Sequence, residues 1–214
     1  IMEDGVLAAP APYSAPAAYY FPNVARMEAI EVLKGSSQVQ YGPFTTGGAI
    51  NLVSTPIPNS FSGKANISYG SKNTFKSHTS VGSSWKHFGY MVKYLRYQSD
   101  GFKKYEDHAA KGFKRNDIIA KIRVKTDHVK GVNHALELKF GYADENSDET
   151  YVGLSADDFK KTPFLRYAGS QMDKLKTDHR QWVATYLLTF SNKLKITTNA
   201  YYNYFHRNWY LSLI

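Results

Sequence analysis

The segment from Glu31 to Leu52 constrains the fold more than any other part of the chain. It reads EVLKGSSQVQYGPFTTGGAINL, two apolar runs separated by glycines: Gly35, Gly42, Gly47 and Gly48. Glycine adopts positive φ at little steric cost, so each glycine predicts a reversal of the backbone. We therefore expect a buried strand, a tight turn, a short helical turn capped by Ser36 or Ser37, a second turn and another strand.

The composition is unusual in its aromatic content. The 214 residues include 17 Tyr, 12 Phe and 3 Trp, which together make 15% of the chain. Tyrosine at this level suits β-strands, and it also suits membrane interfaces, where an apolar ring carries a hydrated hydroxyl. No apolar run approaches the 18 or so residues of a transmembrane helix. Strands that cross a membrane would show only alternation, so this absence leaves a membrane protein open.

Charge is distributed unevenly along the chain. The net charge is +9, but residues 1–58 contain two basic and four acidic residues, so the remainder carries +11. An excess of this size indicates attraction to a polyanion, which could be nucleic acid, anionic lipid or an anionic ligand. The direction in which the lysines point decides among these partners. Cysteine is absent, which excludes disulfides and thiolate metal sites.

Prolines divide the chain into two parts. Residues 5–25 are rich in Ala and Pro and predict a loop that carries aromatic side chains, because proline removes backbone donors. Residues 23–34 predict a short helical turn that leads into a strand. Pro56 and Pro58 end the strand that follows, and we place a domain border there, with one domain at 1–58 and another at 59–214.

Alternation of apolar and polar residues dominates the second part. It predicts about seven strands, each around ten residues or longer, near 61–70, 74–85, 87–99, 117–127, 132–143, 181–190 and 194–204. This length is close to the 9–11 residues that a tilted strand needs to cross a bilayer. Short connections alternate with the longer segments 99–116 and 144–178, a pattern typical of bacterial outer-membrane barrels.

The charged residues of these strands fall on the polar face of the alternation. They are Lys121, Arg123, Lys125, Glu137, Lys139 and Lys195. A charge that faces lipid near the midplane costs about 2–4 kcal/mol, whereas a charge that faces a hydrated lumen costs little. The pattern therefore favours a barrel wall over a sheet of a soluble protein.

Two motifs resemble a known family. Asp4-Gly5 to Thr55-Pro56, with its IEVLKG, YGP and GGAINLVST elements, resembles the plug domain of TonB-dependent outer-membrane receptors. Residues 149–173 and the Ser99-Asp100-Gly101-Phe102 run are similar to the iron(III) dicitrate transporter branch. The resemblance implies a mainly β fold. Its parts are the C-terminal half of an α+β plug domain (1–58) and about seven antiparallel strands (59–214) of an incomplete, normally 22-stranded barrel.

The family's function follows as an expectation. It is the import of a ferric chelate, iron(III) dicitrate or a similar siderophore, across the outer membrane of a Gram-negative bacterium, with no cofactor and no catalysis. The expected partners are the chelate, outer-membrane lipid, and TonB through an N-terminal part that is missing here; nucleic acid is not among them. The truncated chain is not expected to transport alone. The ligand-binding residues implied are Tyr13, Ser14, Tyr19, Tyr20, Gln38 and Arg166.

Other interpretations stay open on sequence alone. The plug tyrosines could fill the interface between plug and barrel, and Arg166 could be a solvated loop charge. A basic nucleic-acid-binding β protein would place lysines and surface aromatics together on one sheet face. A pore or adhesin barrel without energised transport is a third reading, for which the plug motif would be unexpected. No catalytic motif and no metal-ligating spacing of histidines is present.

Overall fold

A computed structural model describes residues 1–8, 20–35, 48–105, 110–127, 131–191 and 193–211, of which Ala110 and Lys111 by backbone alone. These residues form a four-stranded sheet and a seven-stranded sheet. Residues 55–61 connect the two sheets, and the domain border predicted at Pro58 falls within this connection. No helix among the described residues is long and apolar enough to span a membrane.

The four-stranded sheet is mixed. Its strands are β1 (Met2–Glu3), β2 (Val6–Leu7), β3 (Met27–Leu33) and β4 (Ala49–Ser54), in the order β2-β1-β4-β3. Strand β1 runs parallel to β4, while the β1–β2 and β3–β4 pairs are antiparallel. A 3-10 turn, Val24–Arg26, precedes β3, as the sequence predicts for residues 23–34.

Two of the predicted glycine turns lie in the described residues. Gly35 ends β3 with a φ of 74°, and Gly48 precedes β4 with a φ of 152°. A Cβ on Gly48 would lie 2.9 Å from the carbonyl oxygen of Leu33, so this position needs glycine for space as well as for φ. The helical turn at Ser36 or Ser37, and Gly42 and Gly47, lie outside the described residues.

The seven-stranded sheet is an antiparallel meander, with each strand paired to its sequence neighbours. Its strands are β5 (Ser62–Gly70), β6 (Thr74–Ser84), β7 (Phe88–Lys104), β8 (Ala110–Lys125), β9 (Asn133–Asp148), β10 (Lys174–Thr189) and β11 (Lys195–Tyr210). The predicted number of strands is confirmed. The sheet does not close, since β5 and β11 are its two edges.

Strands β7 to β11 have 16 or 17 residues, which agrees with the expected length of ten residues or longer but extends past the predicted spans. Sixteen residues at about 3.3 Å each give roughly 53 Å. At a tilt of about 40° this length rises roughly 40 Å, well beyond an apolar band of about 25 Å. The predicted long loops shrink accordingly, from 99–116 to 105–109 and from 144–178 to 149–173. Backbone pairing continues through polar residues that carry no alternation signal.

The connection 149–173 is folded against the end of β7. It contains the helix α1 (Ala156–Lys161) and a 3-10 turn, Ala168–Ser170. The Tyr105 hydroxyl donates a hydrogen bond to the carbonyl of Ser170. The backbone N–H of Arg166 donates to the carbonyl of Lys104 at 2.8 Å, so this loop continues the rim of the sheet.

The two faces of the seven-stranded sheet differ in what they contact. The inner face packs against the four-stranded sheet and buries side chains that include Met91, Leu95, Ile119, Lys121, Lys139 and His179. The outer face exposes apolar side chains, among them Val92, Ile122, Leu138, Trp182 and Tyr202. The assignment of Lys121 and Lys139 to the polar face is confirmed by this alternation. They do not face water, however, because the smaller sheet covers them.

We predict that a lysine on the outer face disrupts membrane assembly while one on the inner face does not. Leu138→Lys, in a polypeptide that carries these strands within a closed barrel, should destabilise the folded barrel by about 2–4 kcal/mol, since the charge enters hydrocarbon. Asn199→Lys, on the exposed inner face of β11, is the matched control. Urea unfolding in lipid vesicles measures both, and equal losses would contradict the assignment of faces.

Candidate functional site at the junction of the two sheets

Arg26 is the centre of the junction. It has no solvent exposure, and its guanidinium contacts three groups. It donates to Glu3 Oε2 at 2.5 Å and to Tyr20 Oη at 3.3 Å within the smaller sheet, and to Asp117 Oδ1 at 2.9 Å on β8. The 3-10 turn before β3 directs the side chain toward the seven-stranded sheet, which we call the wall. Arg26 therefore joins the two sheets through a desolvated ion pair.

Two lysines of the wall complete the junction. Lys139 Nζ on β9 lies 2.7 Å from Asp4 Oδ2 and 3.2 Å from Glu3 Oε1. Lys121 Nζ on β8 lies 3.9 Å from the same Asp4 oxygen and 3.8 Å from Glu137. We call Glu3, Asp4, Arg26, Asp117, Lys121 and Lys139 the junction cluster. Positive and negative charges alternate across the interface, so the cluster fixes the register in which the smaller sheet sits on the wall.

Two acidic members of the junction cluster, Glu3 and Asp4, are held ionised by the cations around them. Burial alone would raise the pKa of the Asp4 carboxyl, but Lys139 and Lys121 outweigh burial and lower this pKa to about 2. Burial likewise opposes ionisation of Glu3, and the charges of Arg26 and Lys139 lower its pKa below the usual range. Asp4 also accepts hydrogen bonds from the backbone and hydroxyl of Ser54, at 2.8 and 2.5 Å. The ion pairs of the smaller sheet are therefore complete at neutral pH.

Beside the cluster lies an aromatic contact. The ring of Tyr20 stacks on His179 of β10 with centroids 3.7 Å apart, and Phe205 of β11 packs against both. His179 Nε2 lies 2.8 Å from the carbonyl oxygen of Ala8, which identifies this nitrogen as the protonated one. Burial raises the pKa of the Tyr20 hydroxyl, so it stays protonated. This stack seals the junction on the side of β10 and β11.

A cleft of about 190 Å³ opens between this stack and the wall. It is lined by Tyr20, Phe21, Arg115, Ala143, Asp144, Glu145, Leu175 and Thr177. Arg115 donates to the carbonyl of Phe21 at 3.2 Å and lies 3.8 Å from Glu145. It is about one-quarter exposed, so its guanidinium is accessible from the cleft. Arg115 supplies a cation to this cleft, and the carboxylates Asp144 and Glu145 also line it.

The structure places two of the six predicted ligand residues. Tyr20 is buried in the stack and lines the cleft, whereas Arg166 lies in the connection 149–173. Arg166 donates to the carbonyls of Pro163 and Leu165 at 2.8 and 2.6 Å, which ties it to its own loop. The four others lie outside the described residues: Tyr13, Ser14, Tyr19 and Gln38.

The sequence did not reveal the most informative site residues. Arg26 and Asp117 are 91 positions apart, and Arg115 reads as one more basic residue of a strand. One signal was available for Asp117, an acidic residue at an inner-face position in a strand that is otherwise basic. In the described parts of the chain, no three His, Asp or Glu side chains gather as metal ligands would.

A scan of the sequence against protein-family models gives no match. Solved structures match the whole chain in fold. The ferric citrate transporter FecA in its unliganded form matches with a TM-score of 0.80 at 22% identity, over 99% of this chain and 32% of FecA. The siderophore receptor PiuA from Acinetobacter baumannii matches with a TM-score of 0.70 at 16% identity, over 97% of this chain and 29% of PiuA.

The pyoverdine outer membrane receptor FpvA from Pseudomonas aeruginosa PAO1 matches with a TM-score of 0.67 at 14% identity, over 97% of this chain and 31% of FpvA. The chain has the fold of a TonB-dependent receptor. The resemblance seen in the sequence is thus confirmed for the fold, with the four-stranded sheet as plug and the seven strands as part of the barrel wall. The chain spans about a third of the length of these receptors, which are transporters or receptors rather than enzymes.

Removal of Arg26 should destabilise the junction strongly. Arg26→Met leaves Glu3 and Asp117 as buried charges without their main partner, which typically costs about 3–5 kcal/mol. The triple variant Arg26→Met, Glu3→Gln, Asp117→Asn should recover a large part of this loss, because no unpaired charge is then buried. Guanidinium unfolding in a barrel-containing polypeptide compares them. A triple variant as unstable as the single one would contradict the electrostatic account.

The junction should weaken in acid. A carboxyl whose folded pKa is depressed contributes stability above its ordinary pKa and loses it as the pH falls through the folded value. For Asp4, with an ordinary pKa of 3.8 and a folded pKa of about 2, the loss is about 2 kcal/mol between roughly pH 4 and pH 2. Unfolding free energies measured across this range should fall less steeply in Asp4→Asn. Identical slopes in both proteins would show that Asp4 is not responsible.

Proposed function

We propose that this chain is part of an outer-membrane receptor that imports an anionic ferric chelate, of which iron(III) dicitrate is the best candidate. The observation that carries the proposal is the plug sheet seated on the barrel wall, with a cleft that contains Arg115 beside the seat. The proteins that share this fold include the ferric citrate transporter FecA, the siderophore receptor PiuA and the pyoverdine outer membrane receptor FpvA.

The cleft supports an anionic ligand in particular. Arg115 on β8 and Arg207 on β11 lie on the inner face of the wall, in the row just beyond the one that contains Asp117, and Glu145 lies between them in that row. The charges of the two arginines face a lumen whose walls have low dielectric constant, which focuses the field on an entering anion. A ferric citrate complex would meet Arg115 first, in a cleft that the largely buried Tyr20 also lines. Arg166 belongs to the proposed contact set, together with four residues outside the described part of the chain: Tyr13, Ser14, Tyr19 and Gln38.

The junction cluster suits a plug that must be moved. Buried ion pairs add little net stability compared with an apolar contact of the same size, because desolvation offsets their attraction. Each charge regains its hydration when the two sheets separate. We therefore propose that a pull transmitted by TonB, through chain preceding this segment, releases the plug at the cost of a few ion pairs rather than of a hydrophobic core.

The rival functions fit the structure less well. A nucleic-acid-binding sheet would display lysines beside its surface aromatics, but Lys121 and Lys139 are buried on the inner face, while Phe140 and Trp182 lie on the outer face. An adhesin or open pore gives no role to a plug fixed by six charged side chains. The outer membrane of a Gram-negative bacterium is accordingly the proposed location, with its lipid as the solvent of the outer face.

Calorimetric titration of the complete receptor with ferric citrate tests the proposal, and Arg115→Gln should weaken binding about tenfold, the effect of losing one charged contact of about 1.4 kcal/mol. Arg123→Gln is the matched control, because Arg123 lies on the same strand and face but nearer the opposite rim. Strong binding of a neutral siderophore with no heat from ferric citrate would refute the anionic assignment.

A further inference from the structure

The outer face of the wall becomes polar in two complete rows across β7 to β11. The first polar row consists of Arg96, Asn116, Asp144, Asp178 and His206. The second polar row consists of Gln98, Lys114, Asn146, Lys176 and Asn208. Both rows are on the opposite side of their strands from the buried Leu95, Asp117 and His179, so they point away from the plug.

The position of these rows relative to the apolar band defines their environment. The next outer-face row, on the side of the first polar row that leads to the apolar band, contains three tyrosines, Tyr94, Tyr142 and Tyr204, together with Ile118 and Arg180. Tyrosine belts mark the boundary between hydrocarbon and headgroups. Successive rows are about 6.6 Å apart along a strand, so the polar rows begin within one row of this boundary. They lie at the level of the lipid headgroups.

Cations outnumber acids in this region. The two polar rows and the tyrosine row contain four cationic side chains and two carboxylates: Arg96, Lys114, Lys176 and Arg180, and Asp144 and Asp178. Arg180 holds Asp178 in a two-point contact of 2.9 and 3.0 Å, and Asn116 donates to Asp144 at 2.7 Å. Both carboxylates are therefore occupied by their neighbours.

Two lysines of the second polar row carry the remaining charge. Lys114 and Lys176 are exposed and form no ion pair with another described residue. They are separated by Asn146 on the strand between them, which places their backbones about 9.6 Å apart. Long side chains at that distance can converge on one group of phosphate size, with the Asn146 amide between them.

We propose that Lys114 and Lys176 bind the phosphate group of a lipid headgroup in the outer leaflet, with Asn146 and Arg96 as secondary contacts. The inference rests on the membrane placement in the proposed function but not on the identity of the chelate. The lipid is favoured over a soluble phosphate because the site borders the apolar band. A single molecule there can place its chains on Ile118 and Val92 and its phosphate on the lysines.

The test uses the complete receptor purified in detergent and exchanged into defined lipid. Addition of bis-phosphorylated lipid A should raise the thermal unfolding midpoint, and native mass spectrometry should detect bound lipid. The variant Lys114→Gln, Lys176→Gln should bind this lipid at least tenfold more weakly. The variant Lys114→Arg, Lys176→Arg should retain binding, which separates loss of a phosphate contact from misfolding.

Three arms decide the outcome. The matched control Lys64→Gln, Lys195→Gln removes two charges from the inner face and should leave lipid binding unchanged. Dephosphorylated lipid A should give little shift, and an equal shift would overturn the role of the phosphate. Inorganic phosphate that reproduces the full effect would overturn the lipid as the source. Chelate binding measured on the same variants should stay at the wild-type level, so this test fails independently of the proposed function.

Discussion

The contact between Arg26, Glu3 and Asp117 is the interaction on which the rest of the architecture depends. One guanidinium without solvent exposure ties the first strand of the smaller sheet to the fourth strand of the larger one. Its contacts are supported by Lys139 with Glu3 and Asp4, by His179 with the Ala8 carbonyl, and by small apolar contacts around Ile57 and around Tyr20. The position of the cleft follows from this tie, because the same arginine holds the hydroxyl of Tyr20.

An electrostatic seat has different properties from a hydrophobic one. Ion pairs require defined geometry, so they specify one docked arrangement, yet they contribute little net adhesion because each charge was well hydrated beforehand. The junction cluster therefore specifies one docked position of the smaller sheet, and separating the two sheets requires little free energy. The function that we propose, in which a plug stays closed at rest and moves during transport, requires that combination.

The sequence predicted the parts of the fold that depend on local pattern. Period-two alternation identified seven strands and the correct face for Lys121 and Lys139, because burial on one side leaves a regular trace. It underestimated strand length, since segments such as 144–148 are polar on both faces and are held by pairing to neighbouring strands. The partners of Arg26 could not be predicted, because a contact across 91 residues leaves no local trace. The turns at Gly35 and Gly48 could be predicted because both positions have positive φ, which glycine adopts more readily than other residues.

The short first strand has a mechanical consequence. Strand β1 is only two residues long, and one of those residues, Glu3, belongs to the junction cluster. Tension applied from the amino end reaches Met2 and Glu3 before any other paired residue of the smaller sheet. Peeling β1 from β4 would thus withdraw a carboxylate from Arg26 and Lys139 in the same movement. A pull on this strand would therefore break two backbone pairings and, at the same time, remove the Glu3 carboxylate from the junction cluster.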